Sequence, residues 1–269
     1  MERKINVLSM TYILFLTILF LSGMFSGFLS EVIYLLAFLL PFVFALFVTR
    51  GEDENQRSMF SLDFEGIKLT FPIIIPTVVL VIVVSLLTSV IIEWLTGVGN
   101  AVNIGDSLAV ALISHALLPA VLEEMLFRYL PMRFLSGYSK KVCILVSAIF
   151  FSLMHHNLFS IPYAFVAGVI FMAVDLMFDS LIPSILIHFL NNVLSILLIF
   201  FANRAGFIPV CIIVIAILFV LSLAFIIVRR KDYLEKLKGL FNKGEKLKFN
   251  VGILIFAIVC LFISIINLV

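Results

Sequence analysis

The sequence predicts an all-α, polytopic membrane protein with about nine transmembrane helices. Hydrophobic residues make up 64% of the 269, and mean hydropathy is +1.28, whereas soluble domains are about 45–50% apolar. Apolar runs close to the ~20 residues that cross a bilayer recur along the whole chain. Charged residues are only 13% and cluster between those runs.

Taken in order, the runs at 7–28, 32–49, 70–96, 107–130, 142–157, 162–178, 181–202, 207–228 and 251–268 are the helix candidates. The first follows Met1-Glu2-Arg3-Lys4, as the core of a signal peptide does. It is too long for a cleaved segment and no Ala-x-Ala-like site follows it, so it reads as a membrane helix. The sixth is interrupted by Asp175 and followed by Asp179, and is expected to be short or partly re-entrant. The chain divides into N-terminal membrane helices over 1–106, a helical core over 107–202, and C-terminal membrane helices over 203–269 with a basic loop at 229–250. No repeat of the kind that marks an inverted-topology transporter is visible.

Lys and Arg placement orients the helices. With Arg3 and Lys4 in the cytoplasm, the loops at 50–69, 131–141 and 229–250 fall on the same side, and sixteen of the eighteen Lys and Arg residues lie there. The other side receives Arg204, and Arg128 is within a helix. This asymmetry satisfies the positive-inside rule and places the N-terminus in the cytoplasm and the C-terminus outside. The 229–250 segment has two readings. It is an ordinary topogenic loop, or a basic amphipathic helix that lays Tyr233, Leu234, Leu237, Leu240 and Phe241 on anionic lipid. Cys143, Cys211 and Cys260 each sit inside an apolar run, with spacing that suits neither a disulfide framework nor a zinc site. No cofactor motif and no nucleic-acid-binding pattern is present.

The chemistry starts in the fourth helix. Glu123, Glu124 and Arg128 fall in an otherwise apolar stretch, where insertion scales put each charge at about 2.5–3.5 kcal/mol at mid-bilayer. Glu124 and Arg128 are four apart, with Glu on the N-terminal side, the favourable order for an ion pair. Glu123 points about 100° away from Glu124, so one glutamate can be held while its neighbour does acid–base work. The alternative is a buried ion network that fixes helix packing. Pro119 removes the N–H that would bond the carbonyl of His115, and can kink the helix or open it to water.

The four histidines, His115, His155, His156 and His188, all lie in or at the ends of apolar segments. His155 and His156 close the fifth helix. His188 shares a face of the seventh with Asn192, and both side chains are donors suited to an oxyanion. A carboxylate that activates water, a histidine that shares the proton and a His–Asn pair on the oxyanion together make a peptidase. Ser114 is adjacent to His115 and so does not face it on a helix, which argues against a serine nucleophile. Metal binding is the rival chemistry. There is no His-Glu-x-x-His, but Glu123, His155 and His188 can converge on a zinc in three dimensions.

Glu123-Glu124-x-x-x-Arg128, Phe151-x-x-x-His155 and His188-x-x-x-Asn192, each on a separate membrane helix and in that order, resemble the CPBP family. That family holds CAAX prenyl endopeptidases of the Rce1 type and bacterial Abi or bacteriocin-processing proteins. The resemblance covers about 107–200. It implies a metal-independent intramembrane glutamyl protease. Glu123 would activate water with His155 assisting, His188 and Asn192 would hold the oxyanion, and Glu124 and Arg128 would support them. His156 and Asn191 are adjacent residues that leave the register open at both sites.

The expected activity is hydrolysis of a peptide bond in a membrane-associated peptide or protein, of CAAX or bacteriocin type. The compact, Phe- and Ile-rich chain points to a bacterial cell membrane. The alternatives are a non-catalytic bacteriocin-immunity or scaffold protein, and an ion-coupled transporter, since buried acids also mark proton paths.

Overall fold

The computed structural model describes residues 2–50, 60–99, 107–241 and 251–266. Helices form at all nine predicted positions, with one additional short helix: α1 (Glu2–Ser22), α2 (Phe28–Val48), α3 (Phe64–Thr96), α4 (Leu108–Phe134), α5 (Lys140–Leu153), α6 (Ile161–Phe178), α7 (Ile182–Phe200), α8 (Phe207–Val228), α9 (Arg230–Lys238) and α10 (Val251–Ile266). No strand forms among the described residues. Seven of the helices, α1 to α4 and α6 to α8, are long and apolar enough to cross a membrane. The fifth and ninth predicted spans, α5 and α10, have only 14 and 16 residues. At 1.5 Å per residue, α5 is about 21 Å long.

The helix ends have local causes. Asp63 caps α3 by accepting the Gly66 N–H at 2.7 Å, and Gly97 ends it with φ 71°. Ser107 and Ser139 cap α4 and α5 through the N–H groups of Val110 and Val142, each at 3.4 Å. The sixth helix, α6, runs unbroken for 18 residues, the shortest of the seven long apolar helices. Asp175 does not interrupt it, because its carboxylate turns inward and accepts the Ser184 N–H at 3.0 Å. Asp179 stops the helix in a left-handed conformation, φ 51°. The fifth helix ends earlier than predicted. His155 and His156 lie beyond Leu153, where the chain turns through a left-handed His156, φ 48°.

Two cores hold the bundle. Aromatic rings join α1, α2, α4, α5 and α10. Tyr12 packs on Phe150 at 4.3 Å, Phe150 on Phe256 at 4.5 Å, and Phe15 on Phe38 at 5.0 Å. Ile74, Val78, Phe171, Val174 and Ile187 join α3, α6 and α7. Gly168 lets α6 approach α5 closely, since a Cβ there would fall 2.9 Å from Ala148 Cα; small residues are the usual means of close helix approach in lipid. The most apolar helix, α8, buries none of its residues, as a helix facing lipid does.

Basic side chains gather where α3 begins and α6 and α8 end. Arg229 pairs with Glu65 at 3.2 Å. Lys140 reaches Leu176 O at 3.4 Å, and Lys236 lies 4.5 Å from the Phe178 ring. The basic segment divides its apolar face. Tyr233 and Leu240 are buried against the bundle, and Leu234, Leu237 and Phe241 are exposed. Tyr233 donates to Leu69 O at 2.7 Å, and burial pushes its phenol up to about 12. Residues 242–250, with Lys243, Lys246 and Lys248, and Arg57 in the loop after α2, lie outside the described residues.

Candidate active site

The helix that carries the glutamates is not a uniform α-helix. Two π-helical turns, Leu112–Leu117 and Met125–Tyr129, flank the regular segment Leu118–Glu124. A proline follows each of them, Pro119 and Pro131. Proline lacks the N–H of an i to i−4 bond and its ring crowds that carbonyl. A π-turn's i to i−5 bonding admits the ring, and such turns concentrate at functional sites. The two glutamates therefore end the regular segment, held between two wider turns.

Glu124 and Arg128 are fully buried, with Glu124 Oε2 3.1 Å from Arg128 Nε. The other oxygen, Oε1, is 2.8 Å from His188 Nδ1 on α7. Glu124 is thus clamped between an arginine on its own helix and a histidine 64 residues away. Glu123 is also buried, and its Oε2 is 3.9 Å from His188 Nε2. Among the described residues it has no hydrogen-bond partner, and Tyr34 and Tyr163 lie within electrostatic reach of it. The neighbouring carboxylates therefore have different surroundings, with His188 between them.

Phe151 explains its place in the sequence pattern. Arg128 Cζ lies 4.2 Å from the centre of its ring, a cation–π contact that offsets part of the cost of a buried guanidinium. The same ring meets His155 edge-on at 5.1 Å and His188 at 5.8 Å. His155 Nδ1 bonds Phe151 O at 2.9 Å. A carbonyl only accepts, so Nδ1 carries the hydrogen, and in the neutral ring Nε2 keeps its lone pair. Ser147 Oγ donates to Phe127 O at 2.6 Å and accepts from Arg128 Nη1 at 3.3 Å.

Asn192 Nδ2 donates to His115 O at 3.1 Å, and Asn191 Nδ2 donates to Asn192 Oδ1 at 3.2 Å. The structure therefore brings Glu123, Glu124, Arg128 and His188 into one cluster. It ties His155 to that cluster through Phe151, and it ties Asn192 to α4 through His115. Asp175, Ser184 and Ser147 border the cluster. Single serines carry no periodic signal in a sequence, and Asp175 appears there only as a break in a span. Among the described residues, no group of three or more His, Cys, Asp or Glu side chains is placed to hold a metal ion.

Residues 105–194 match the family of type II CAAX prenyl endopeptidases, Rce1-like. The matched segment covers roughly a third of the chain and contains all three polar patterns. The match likens this segment to CAAX-type endopeptidases, hydrolases of peptide bonds, and the seven long apolar helices make the chain an integral membrane protein. No curated protein and no solved structure matches the chain.

Proposed function

We propose that this protein is a glutamyl-type intramembrane endopeptidase in which Glu123 activates the attacking water. The observation that carries the reading is the division between the two glutamates. Glu124 is held by Arg128 at 3.1 Å and His188 at 2.8 Å, while Glu123 is buried beside them and faces the other ring nitrogen of His188. At 3.9 Å apart, Glu123 Oε2 and His188 Nε2 can flank the forming bond, one at the water oxygen and the other at the carbonyl oxygen.

In the first step Glu123 takes a proton from water as the water oxygen bonds the peptide carbonyl carbon. The carbonyl oxygen becomes the oxyanion. A protonated His188 has a donor on each nitrogen, one for Glu124 and one for the oxyanion. The Glu124 carboxylate supports that cation, and Arg128 holds the carboxylate. Asn192 Nδ2 carries two hydrogens; one goes to His115 O and fixes the amide, and the second is free to donate to the oxyanion. The C–N bond then breaks as the oxyanion re-forms the carbonyl, the proton on Glu123 passes to the leaving amine, and His155 Nε2 accepts the remaining water proton from the new carboxylic acid. No metal takes part in this scheme. The substrate is a membrane-associated peptide or protein of CAAX or bacteriocin type.

The test is cleavage of a fluorogenic peptide that ends in a farnesylated Cys-aliphatic-aliphatic-X sequence, together with a comparison of membrane proteomes with and without the protein. Glu123→Gln keeps the shape and removes the base, and should cost about 10²-fold or more. A correctly inserted Glu123→Gln protein with full activity, or full rescue of a deletion phenotype, would sink the proposal in favour of a binding or immunity role.

A further inference from the structure

A third carboxylate borders the site. Asp175, near the end of α6, is fully buried, and its Oδ1 accepts the Ser184 N–H at 3.0 Å. Ser184 lies in the first turn of α7, four residues before His188 and on the same face. That turn has no cap of its own, since the residue before it, Leu181, offers no side-chain acceptor. Its donors are satisfied from α6 and the connecting turn: Ile182 N–H by Ser180 Oγ at 3.2 Å, and Ser184 N–H by Asp175, while Pro183 has no N–H. A carboxylate at this end of a helix also meets the favourable end of its dipole.

The Ser184 hydroxyl turns back on its own helix end and donates to Leu181 O at 3.1 Å. Asp175 is also within electrostatic reach of Arg128 and Glu124. Its second oxygen, Oδ2, has no hydrogen-bond partner among the described residues. A buried carboxylate with one backbone donor is costly to keep unless it organises something.

We propose that Asp175 is a positioning residue for this site: through Ser184 it holds the first turn of α7 so that His188 meets Glu124. Asp175 acts on the reaction through these two residues and does not itself reach the substrate. Only the activity arm of the test rests on the protease reading.

The experiment uses the full chain in detergent micelles with ¹⁵N-labelled histidine. The His188 imidazole signal is assigned by its loss in His188→Gln, and melting temperature is recorded alongside. Asp175→Asn keeps an acceptor for the Ser184 N–H and should retain the wild-type His188 signal, with peptide cleavage within about 3-fold. Asp175→Leu removes the acceptor. It should shift the signal and lower cleavage about 10²-fold, the scale of a misplacement of about 1 Å. Asp175→Ala removes the acceptor with a smaller side chain and should shift the signal as well; this variant decides the matter if Asp175→Leu does not fold. An unchanged His188 signal in Asp175→Leu or Asp175→Ala overturns the proposal, as does Asp175→Asn matching the Leu variant. If the wild-type protein cleaves no peptide, the protease reading fails while the His188 signal still reports the positioning.

Discussion

Asn192 Nδ2 donates to the carbonyl of His115 at 3.1 Å, and that carbonyl is the one whose helical donor would be the N–H of residue 119, a proline. The side chain of α7 supplies a donor to a carbonyl that loses its i+4 N–H to the proline. Pro119 thereby ties the position of the Asn192 amide to the π-turn at Leu112–Leu117.

Asn192→Ala is expected to lower peptide cleavage about 10²–10³-fold, the usual worth of one oxyanion donor. Asn191→Ala should matter much less, because Asn191 reaches the site only by donating to Asn192 at 3.2 Å. Pro119→Ala restores an N–H that competes for the His115 carbonyl. It should lower activity while leaving the melting temperature near wild type. Steady-state rates of the three purified variants check the set, and equal losses in Asn191→Ala and Asn192→Ala would reassign the register.

Removal of Arg128 tests packing. Arg128→Ala leaves Glu124 buried with its arginine gone, and breaking a buried pair typically costs about 3–5 kcal/mol. It also removes the cation from the face of Phe151, 4.2 Å away. The expected result is a clear fall in melting temperature and in yield. Arg128→Lys should recover only part of it, because an ammonium cannot reproduce the planar fork of the guanidinium. Melting equal to wild type in Arg128→Ala would show that the pair carries no stability.

Topology is testable at two exposed positions. In a protein with Cys143, Cys211 and Cys260 replaced by Ser, Lys238→Cys should resist a membrane-impermeant maleimide in intact cells and react after permeabilisation. Phe25→Cys, exposed in the turn between α1 and α2, should react from outside. The reverse pattern would place the basic end of the bundle outside the cytoplasm, against the positive-inside rule.

Metal dependence is settled by elemental analysis. The purified protein is expected to carry no stoichiometric zinc, and chelators should leave peptide cleavage unchanged. About one zinc per chain, lost in Glu123→Ala, would turn the mechanism into that of a metalloprotease.

The amino-acid sequence alone determined the helices and their order, because a bilayer demands apolar runs of a set length and leaves few other ways to bury them. It also exposed the charged residues of the site, since Glu123, Glu124, Arg128 and His188 stand out against an apolar background. Tertiary structure decided the rest. Which glutamate is clamped depends on the rotation of α7 against α4, which brings residue 188 to residue 124. The order of spacing along a helix does not contain that angle. The two π-turns depend on how α4 accommodates Pro119 and Pro131 against its neighbours, and Pro119 alone suggested only a kink or an opening. Asp175 looked like a flaw in a membrane span and proved to be the acceptor at the start of α7. Its meaning lay in Ser184, nine residues along the chain, which becomes its partner only when α6 and α7 pack side by side.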